Sequence, residues 1–327
     1  MKIGKVPENV LKRTVLKQIH HTREEVLVGA GVGEDCAVAA LKEGEVYVLS
    51  TDPITGAINE IGKLAIHITA NDIAAGGAEP FGVMLTILLP DGTEEAQLRD
   101  MMKDMENTCK DLDIQIMGGH TEITKVVTQP VVMVTGMGKA REESLALSRS
   151  MKPGQELVMT KWAGLEGTAI LASERYDELC GALPYELVDQ AKAMIDSISV
   201  VKDARVAASL GIHAMHDITE GGVFGALWEV AEASGTGLEV DLRKIPLKQE
   251  TVEICEYYDL NPYMLISSGC LLMSADRGSL LAETLAKEGI PAAVIGRVTE
   301  GNDRIIINGE EKRFLTPPAS DELYKII

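Results

Sequence analysis

The stretch IGKLAIHITANDIAAGGAEP occupies residues 61–80, and the fold is read outward from it. Counting from Ile58, apolar residues recur at Ile58, Ile61, Leu64, Ala65 and Ile68. That i, i+3, i+4 spacing predicts a helix over 58–75. Before it, EVYVLST at 45–51 reads as a strand ending at Asp52. After it, Phe81 to Leu89 reads as a second, buried strand.

The pattern continues outward. Asp91-Gly-Thr-Glu94 resembles a helix N-cap with its partner three residues on. The helix it would open carries Leu98, Met101, Met102, Met105 and Cys109 on one face. Strands follow at 113–117 and 131–137. The polar run 141–155, ending in Pro153-Gly154-Gln155, marks a domain boundary near 150. Beyond it, strands are expected at 156–160, 238–241, 270–274 and 292–298, and helices at 185–198, 222–233 and 278–288. Strands and helices mixed in both halves predict an α/β (α+β) protein of two domains, 1–150 and 151–327.

Bulk properties narrow the function. The 327 residues hold 31 Lys plus Arg against 50 Asp plus Glu, a net charge of -19. Such a surface repels phosphate backbones, which argues against a nucleic-acid partner. A small phosphate ligand would need a metal to bridge it to carboxylates. The five cysteines, Cys36, Cys109, Cys180, Cys255 and Cys270, form no C-x-x-C pair and read as reduced thiols of a cytoplasmic protein. The first residues lack a signal-peptide apolar core, and runs such as 81–90 are half the ~20 residues a spanning helix needs, so no membrane role is expected.

Acidic residues recur beside glycine near strand ends. Glu34-Asp35 follows Gly29-Ala-Gly31-Val-Gly33, Asp52 closes a strand, Asn71-Asp72 precedes Gly76-Gly77, and Glu122 follows Gly118-Gly119-His120-Thr121. Ligands of α/β folds bind where loops leave strand ends. Oxygen ligands from several loops suit Mg²⁺ on a nucleotide, and glycines let backbone N–H groups reach phosphate oxygens. Taken singly, each acid is more often a turn residue or helix cap. The glycines at 29–33 also fit a dinucleotide-binding layout, but only residues 36–41 are left for its helix before Glu43-Gly44.

Lys63 is a solvated helix charge or a phosphate contact. His67, four residues on, reads first as a half-buried imidazole. His120, beside the glycines, is a candidate for a ligand contact. In the second half, HDITEGG at 216–222 places Asp217, Thr219 and Gly221 where a helix N-terminus could meet an anion, or where Asp217 or Thr219 merely caps that helix. Ser267-Ser268-Gly269 is a weaker signal of the same kind, and no nucleophile–base spacing is evident.

Together these stretches resemble the aminoimidazole ribonucleotide (AIR) synthetase superfamily. The resembling pieces are GVGEDCAVAAL at 31–41, STD at 50–52, the 61–80 block, GGHTEI at 118–123, HDITEGGVFGAL at 216–227, SSGCLLM at 267–273 and IGRVTE at 295–300. The resemblance implies an N-terminal domain that forms a barrel with its twin in a homodimer. It also implies a C-terminal α/β domain, ATP between the two, and Mg²⁺. By the same resemblance Asp35, Asp52 and Asp72, with Glu122, would hold the metal. Asn71 and Lys63 would lie near the phosphates, and Gly118, Gly119 and Thr121 would complete the nucleotide site. Asp217, Thr219 and Gly221 would contribute from the second domain. Asp72, Lys63 and His120 would serve the chemistry, transfer of the γ-phosphate to a substrate oxygen on a small molecule or a carrier protein. Such transfer depends on positioning and charge neutralisation.

Within the superfamily the chain is most similar to the hydrogenase-maturation carbamoyl dehydratase, through IGKLAIH, HD-x-T-x-GG and SSG-x-LL. That branch acts on its own C-terminal cysteine. This chain ends Asp-Glu-Leu-Tyr-Lys-Ile-Ile, with its last cysteine, Cys270, inside an expected strand. His120 and Glu220 also depart from the branch's usual residues. A non-catalytic nucleotide-binding paralogue and a thiamine-monophosphate kinase-like enzyme are the alternatives.

Overall fold

The computed structural model describes residues 3–31, 36–54, 61–317 and 320–326. The chain forms two compact units, 1–74 with 78–143 and 144–327 with 75–77. The junction between Glu143 and Ser144 lies in the polar stretch 141–155.

The first unit runs β1 (Gly4–Lys5), α1 (Glu8–Thr14), β2 (Val26–Val28), β3 (Val38–Ala39), β4 (Glu45–Ile54), α2 (Ile61–Ala75), β5 (Glu79–Pro90), α3 (Glu95–Asp111), β6 (Gln115–Thr124) and β7 (Val131–Arg141). Five strands form a sheet in the order β1-β6-β5-β7-β4. β5 and β6 are parallel, which requires a crossover, and α3 supplies it. The remaining neighbours are antiparallel.

Strand alternation divides the sheet's two faces. On β5, Val83, Leu85, Ile87 and Leu89 are buried, whereas Met84, Thr86 and Leu88 are half-buried. α2 covers the buried face and is apolar on nearly every side, as a helix inside a core must be. Its Leu64, Ala65, Ile66, Ile68, Ala70, Ile73 and Ala74 are all buried. It lies directly on β7, where a Cβ at Gly138 would come within 2.2 Å of the Ile73 Cγ2. The other face is more open. Tyr47, Leu49 and Met133 are exposed there, while the β2–β3 ribbon sits at one end, where the Tyr47 hydroxyl donates to the Ala39 carbonyl at 3.1 Å.

Two local expectations are corrected. Asp91 does not cap α3. Asp91-Gly92 forms a turn, the cap is Glu94, and its N–H donates to the Gln97 Oε1 at 2.8 Å. The dinucleotide layout also fails, because β2 pairs with β3 in a separate two-stranded ribbon and the described residues 36–54 contain no helix.

The second unit runs β8 (Glu156–Thr160), α4 (Leu165–Glu174), α5 (Tyr176–Cys180), α6 (Tyr185–Ala193), α7 (Val201–Ser209), β9 (Met215–Ile218), α8 (Gly222–Ser234), β10 (Gly237–Asp241), α9 (Gln249–Tyr258), β11 (Cys270–Ala275), α10 (Gly278–Lys287), β12 (Ala292–Thr299), β13 (Arg304–Asn308) and β14 (Glu311–Phe314). Its seven strands are ordered β14-β13-β10-β12-β8-β11-β9. α4, α5, α7 and α9 were not anticipated. In α4 every residue from Leu165 to Ala172 is buried, so it shows no polar face to mark a period.

Candidate functional site

Two of the expected carboxylates meet. Asp52 lies two residues before the end of β4, and Asp72 lies inside α2, three residues before its end. Asp72 is therefore neither a turn residue nor a cap. Ser50 shares its strand face with Asp52. Its hydroxyl is hydrogen-bonded to the Asp72 carboxylate and sits 3.2 Å from the Asp52 Oδ2. Ser50 was not among the expected site residues, and its only signal was its place in STD at 50–52.

Lys63, His67 and Asn71 follow one another at four-residue intervals on α2, a stripe of about 12 Å. Asn71 is fully buried, while Lys63, His67 and Asp72 are half-buried. Asp35 lies outside the described residues. Among the described residues, no three His, Cys, Asp or Glu side chains gather as a ready metal cage. Mg²⁺ does not need one. It commonly takes one or two carboxylates and fills its octahedron with water and phosphate oxygens. Two carboxylates flanking one hydroxyl match that donor chemistry.

The residues from 118 to 122 are placed differently from expectation. They form no loop but run through β6, paired with β5 as Gly119 with Leu85, His120 with Thr86 and Glu122 with Leu88. Gly119 has φ +149°, and a Cβ there would meet the Leu85 carbonyl oxygen at 2.0 Å. Close strand contact alone thus requires this glycine. Thr121 is buried on the helix side and, with Gly118 and Gly119, lines a cavity of about 70 Å³ beneath α1. His120 and Glu122 project from the opposite, open face, with the His120 Nε2 3.1 Å from the Glu122 Oε2. The sheet therefore separates Glu122 from Asp52 and Asp72 within this unit, and the three do not form one ligand set.

In the second unit Asp217 is buried in β9 opposite Leu271. Thr219 is half-buried, and its carbonyl accepts from Gly222 and Ser267. Gly221 precedes α8 in a left-handed conformation, φ +82°. Its N–H is not open to a ligand, because it donates to the Asp321 Oδ2 at 2.6 Å. The Gly222 and Phe224 amides are likewise taken, by the Thr219 and Tyr263 carbonyls. The expected anion site at this helix start is filled by the protein's own carboxylate and carbonyls. Asp321 went unnoticed because it lies 100 residues further along the chain.

Cys270 is buried in β11 and donates to the Trp162 carbonyl at 3.0 Å. Burial pushes its thiol up to about 12. A thiol so placed stays protonated and unreactive.

The sequence matches the family models for the N-terminal domain of AIR synthase related protein over residues 33–140 and for its C-terminal domain over residues 152–308. With the two α/β units described above, the chain belongs to the AIR synthase-related family. Its similarity lies on the hydrogenase-maturation side of that family. It is 31% identical to the carbamoyl dehydratase HypE of Rhodobacter capsulatus over 77% of this chain and 73% of that protein. It is 25% identical to a putative hydrogenase expression/formation protein of Methanocaldococcus jannaschii over 99% of this chain and 97% of that one. The fold matches a crystal structure of the maturation protein HypE in complex with ATP, with a TM-score of 0.81, 20% identity and coverage of 98% and 97%.

Proposed function

We propose that this protein is an ATP- and Mg²⁺-dependent enzyme that uses the γ-phosphate of ATP to activate or phosphorylate a substrate oxygen. The observation that carries this reading is the convergence of Asp52 and Asp72 on the Ser50 hydroxyl. A triphosphate would be repelled by a bare carboxylate pair in a chain of net charge -19. A divalent cation on that pair reverses the sign. The similarity to carbamoyl dehydratases and to an ATP-bound fold relative supports the same assignment.

In this reading Asp52 and Asp72 hold the metal, with Asp35 as a third ligand, and Lys63 on α2 faces the phosphates, while Asn71 is buried within the packing of the same helix. Gly118, Gly119, Thr121 and Gly221 are structural. His120 and Glu122, which share the open face with Tyr47, Leu49 and Met133, belong to a homodimer interface formed by that face. The substrate is a small molecule or a group on a carrier protein. The buried Cys270 thiol is no acceptor.

Isothermal titration with ATP and Mg²⁺ tests the site. Asp72→Asn is expected to weaken metal-dependent ATP binding at least about tenfold, since a hydrogen bond to a charged group contributes about 1.5–3 kcal/mol. Binding that is independent of Mg²⁺, or unchanged in Asp72→Asn, would sink the assignment. ADP release across a panel of acceptors separates an enzyme from a nucleotide-binding paralogue.

A further inference from the structure

The second unit holds a cleft that the nucleotide reading does not use. Its volume is about 560 Å³, within the usual range for a small-molecule site. It opens at the end of the sheet where β8 begins and β11 ends, since Glu156 pairs there with Ala275. The Ser267–Gly269 and Thr219 loops lie at the other end, where Cys270 pairs with Ile218. The six residues of β11 separate the two ends by roughly 17–20 Å.

The lining has a definite chemistry. Lys152, Arg277 and His213 all border the cleft. The two cations are exposed, and among the described residues neither side chain makes an ion pair, in a chain where acids outnumber bases 50 to 31. Some other cations of this unit are held by carboxylates, as Arg297 is by Glu239 and Arg304 by Glu232, so what sets Lys152 and Arg277 apart is that both border one cleft. Gln155 in the same lining is held by the Lys152 N–H, the Ser274 hydroxyl and the Asp276 carboxylate at 2.8–3.1 Å. That network orders both the Lys152 turn and the start of α10 without drawing on either cation.

We propose that this cleft binds a small phosphomonoester that carries hydroxyl groups. Arg277 and Lys152 supply a planar fork and a mobile point charge for a dianionic phosphate. Among the described residues Asp276 accepts one hydrogen bond, from Gln155, which leaves carboxylate acceptor capacity for a ligand hydroxyl. A carboxylate beside the cations disfavours a purely anionic ligand, which is why the ligand carries donors as well. The helix start itself is not the anion site, because the Gly278 and Ser279 amides already donate to the Glu156 carboxylate.

Calorimetric titration of the full-length protein with ribose 5-phosphate, inorganic phosphate and ribose, without Mg²⁺ or nucleotide, tests the proposal. The expected order is ribose 5-phosphate tightest, inorganic phosphate weaker and ribose undetectable. The double variant K152A/R277A should weaken ribose 5-phosphate binding at least tenfold, and D276N should narrow its advantage over phosphate. D72N in the other unit should leave it unchanged. Both cations are exposed, so the variants are expected to fold, and circular dichroism checks this. No saturable binding of ribose 5-phosphate at millimolar concentration would overturn the proposal. So would retention of binding in K152A/R277A, loss of binding in D72N, or equal affinity for ribose 5-phosphate and inorganic phosphate.

Discussion

Two buried carboxylates show opposite responses to their surroundings. Glu25 is gripped by Arg23, Nη2 to Oε1 3.0 Å, and by Lys139. The Arg23 and Lys139 hydrogen bonds outweigh burial and hold Glu25 down to about 2. Its depressed value means it contributes stability above the unfolded value of 4.5, and that contribution is lost as pH falls from 4.5 toward 2. Thermal melts from pH 7 to 2 should show Glu25→Gln less stable than the parent at pH 7, with the gap closing toward pH 2. Glu166 in α4 is the reverse case. Burial pushes it up to about 7, and the nearby Asp321 charge acts in the same direction. The folded state then keeps a proton that the unfolded chain releases, so stability falls as pH rises from 4.5 through 7. Glu166→Gln should match the parent at pH 4 and exceed it at pH 8, by on the order of 3 kcal/mol at most. A variant less stable than the parent at pH 8 would show that this carboxylate makes contacts outweighing its burial.

At the scale of elements, the seat of α2 on β7 sets the candidate site, because that contact brings Asp72 over β4. The approach depends on missing side chains. A Cβ at Gly138 would lie 2.2 Å from the Ile73 Cγ2, and one at Gly136 would lie 2.5 Å from the Thr69 Cγ2. Gly138→Ala must push α2 outward, and overpacking of this kind costs about 1–3 kcal/mol. Urea denaturation should show that loss, and ATP binding should weaken with it because Asp72 moves with the helix. Unchanged binding would mean that Asp72 is not placed by this contact. The helix itself was plain from residue 61 onward in the i, i+3, i+4 spacing, since periodicity is a local property, and its expected first residues, 58–60, lie outside the described residues. The glycines of β7 were not read as a helix seat, because nothing local in VVMVTGMG at 131–138 says what lies above them.

For the whole molecule, the open face of the first sheet makes an assembly prediction. Leu49 is 63% exposed in the middle of β4, with Tyr47 on the same face two residues before it and Met133 on the adjoining strand. Exposed apolar residues grouped on one sheet face mark an interaction surface. Leu49→Glu is expected to convert a dimer to a monomer in analytical ultracentrifugation, halving the mass without loss of secondary structure. A parent protein that sediments as a monomer at micromolar concentration would refute the homodimer.

The chain's alternation of period-2 and helical segments was enough to establish the mixed α/β class and most strand positions, because backbone preference and burial pattern are written into neighbouring residues. The ordered motifs also carried the family. Asp52 and Asp72 were legible as candidates, since each stands in a recognisable run, but their meeting on Ser50 was not, because it needs α2 seated on the sheet. Folding separated residues that adjoin in sequence. His120 and Thr121 point to opposite faces because strand side chains alternate, which puts Glu122 across the sheet from the carboxylate pair it was expected to join. Folding also joined residues far apart, closing the Gly221 amide with Asp321. Local chemistry is inherited from the sequence one residue at a time. Which groups share a site depends on strand parity and helix seating, and those exist only once distant segments pack.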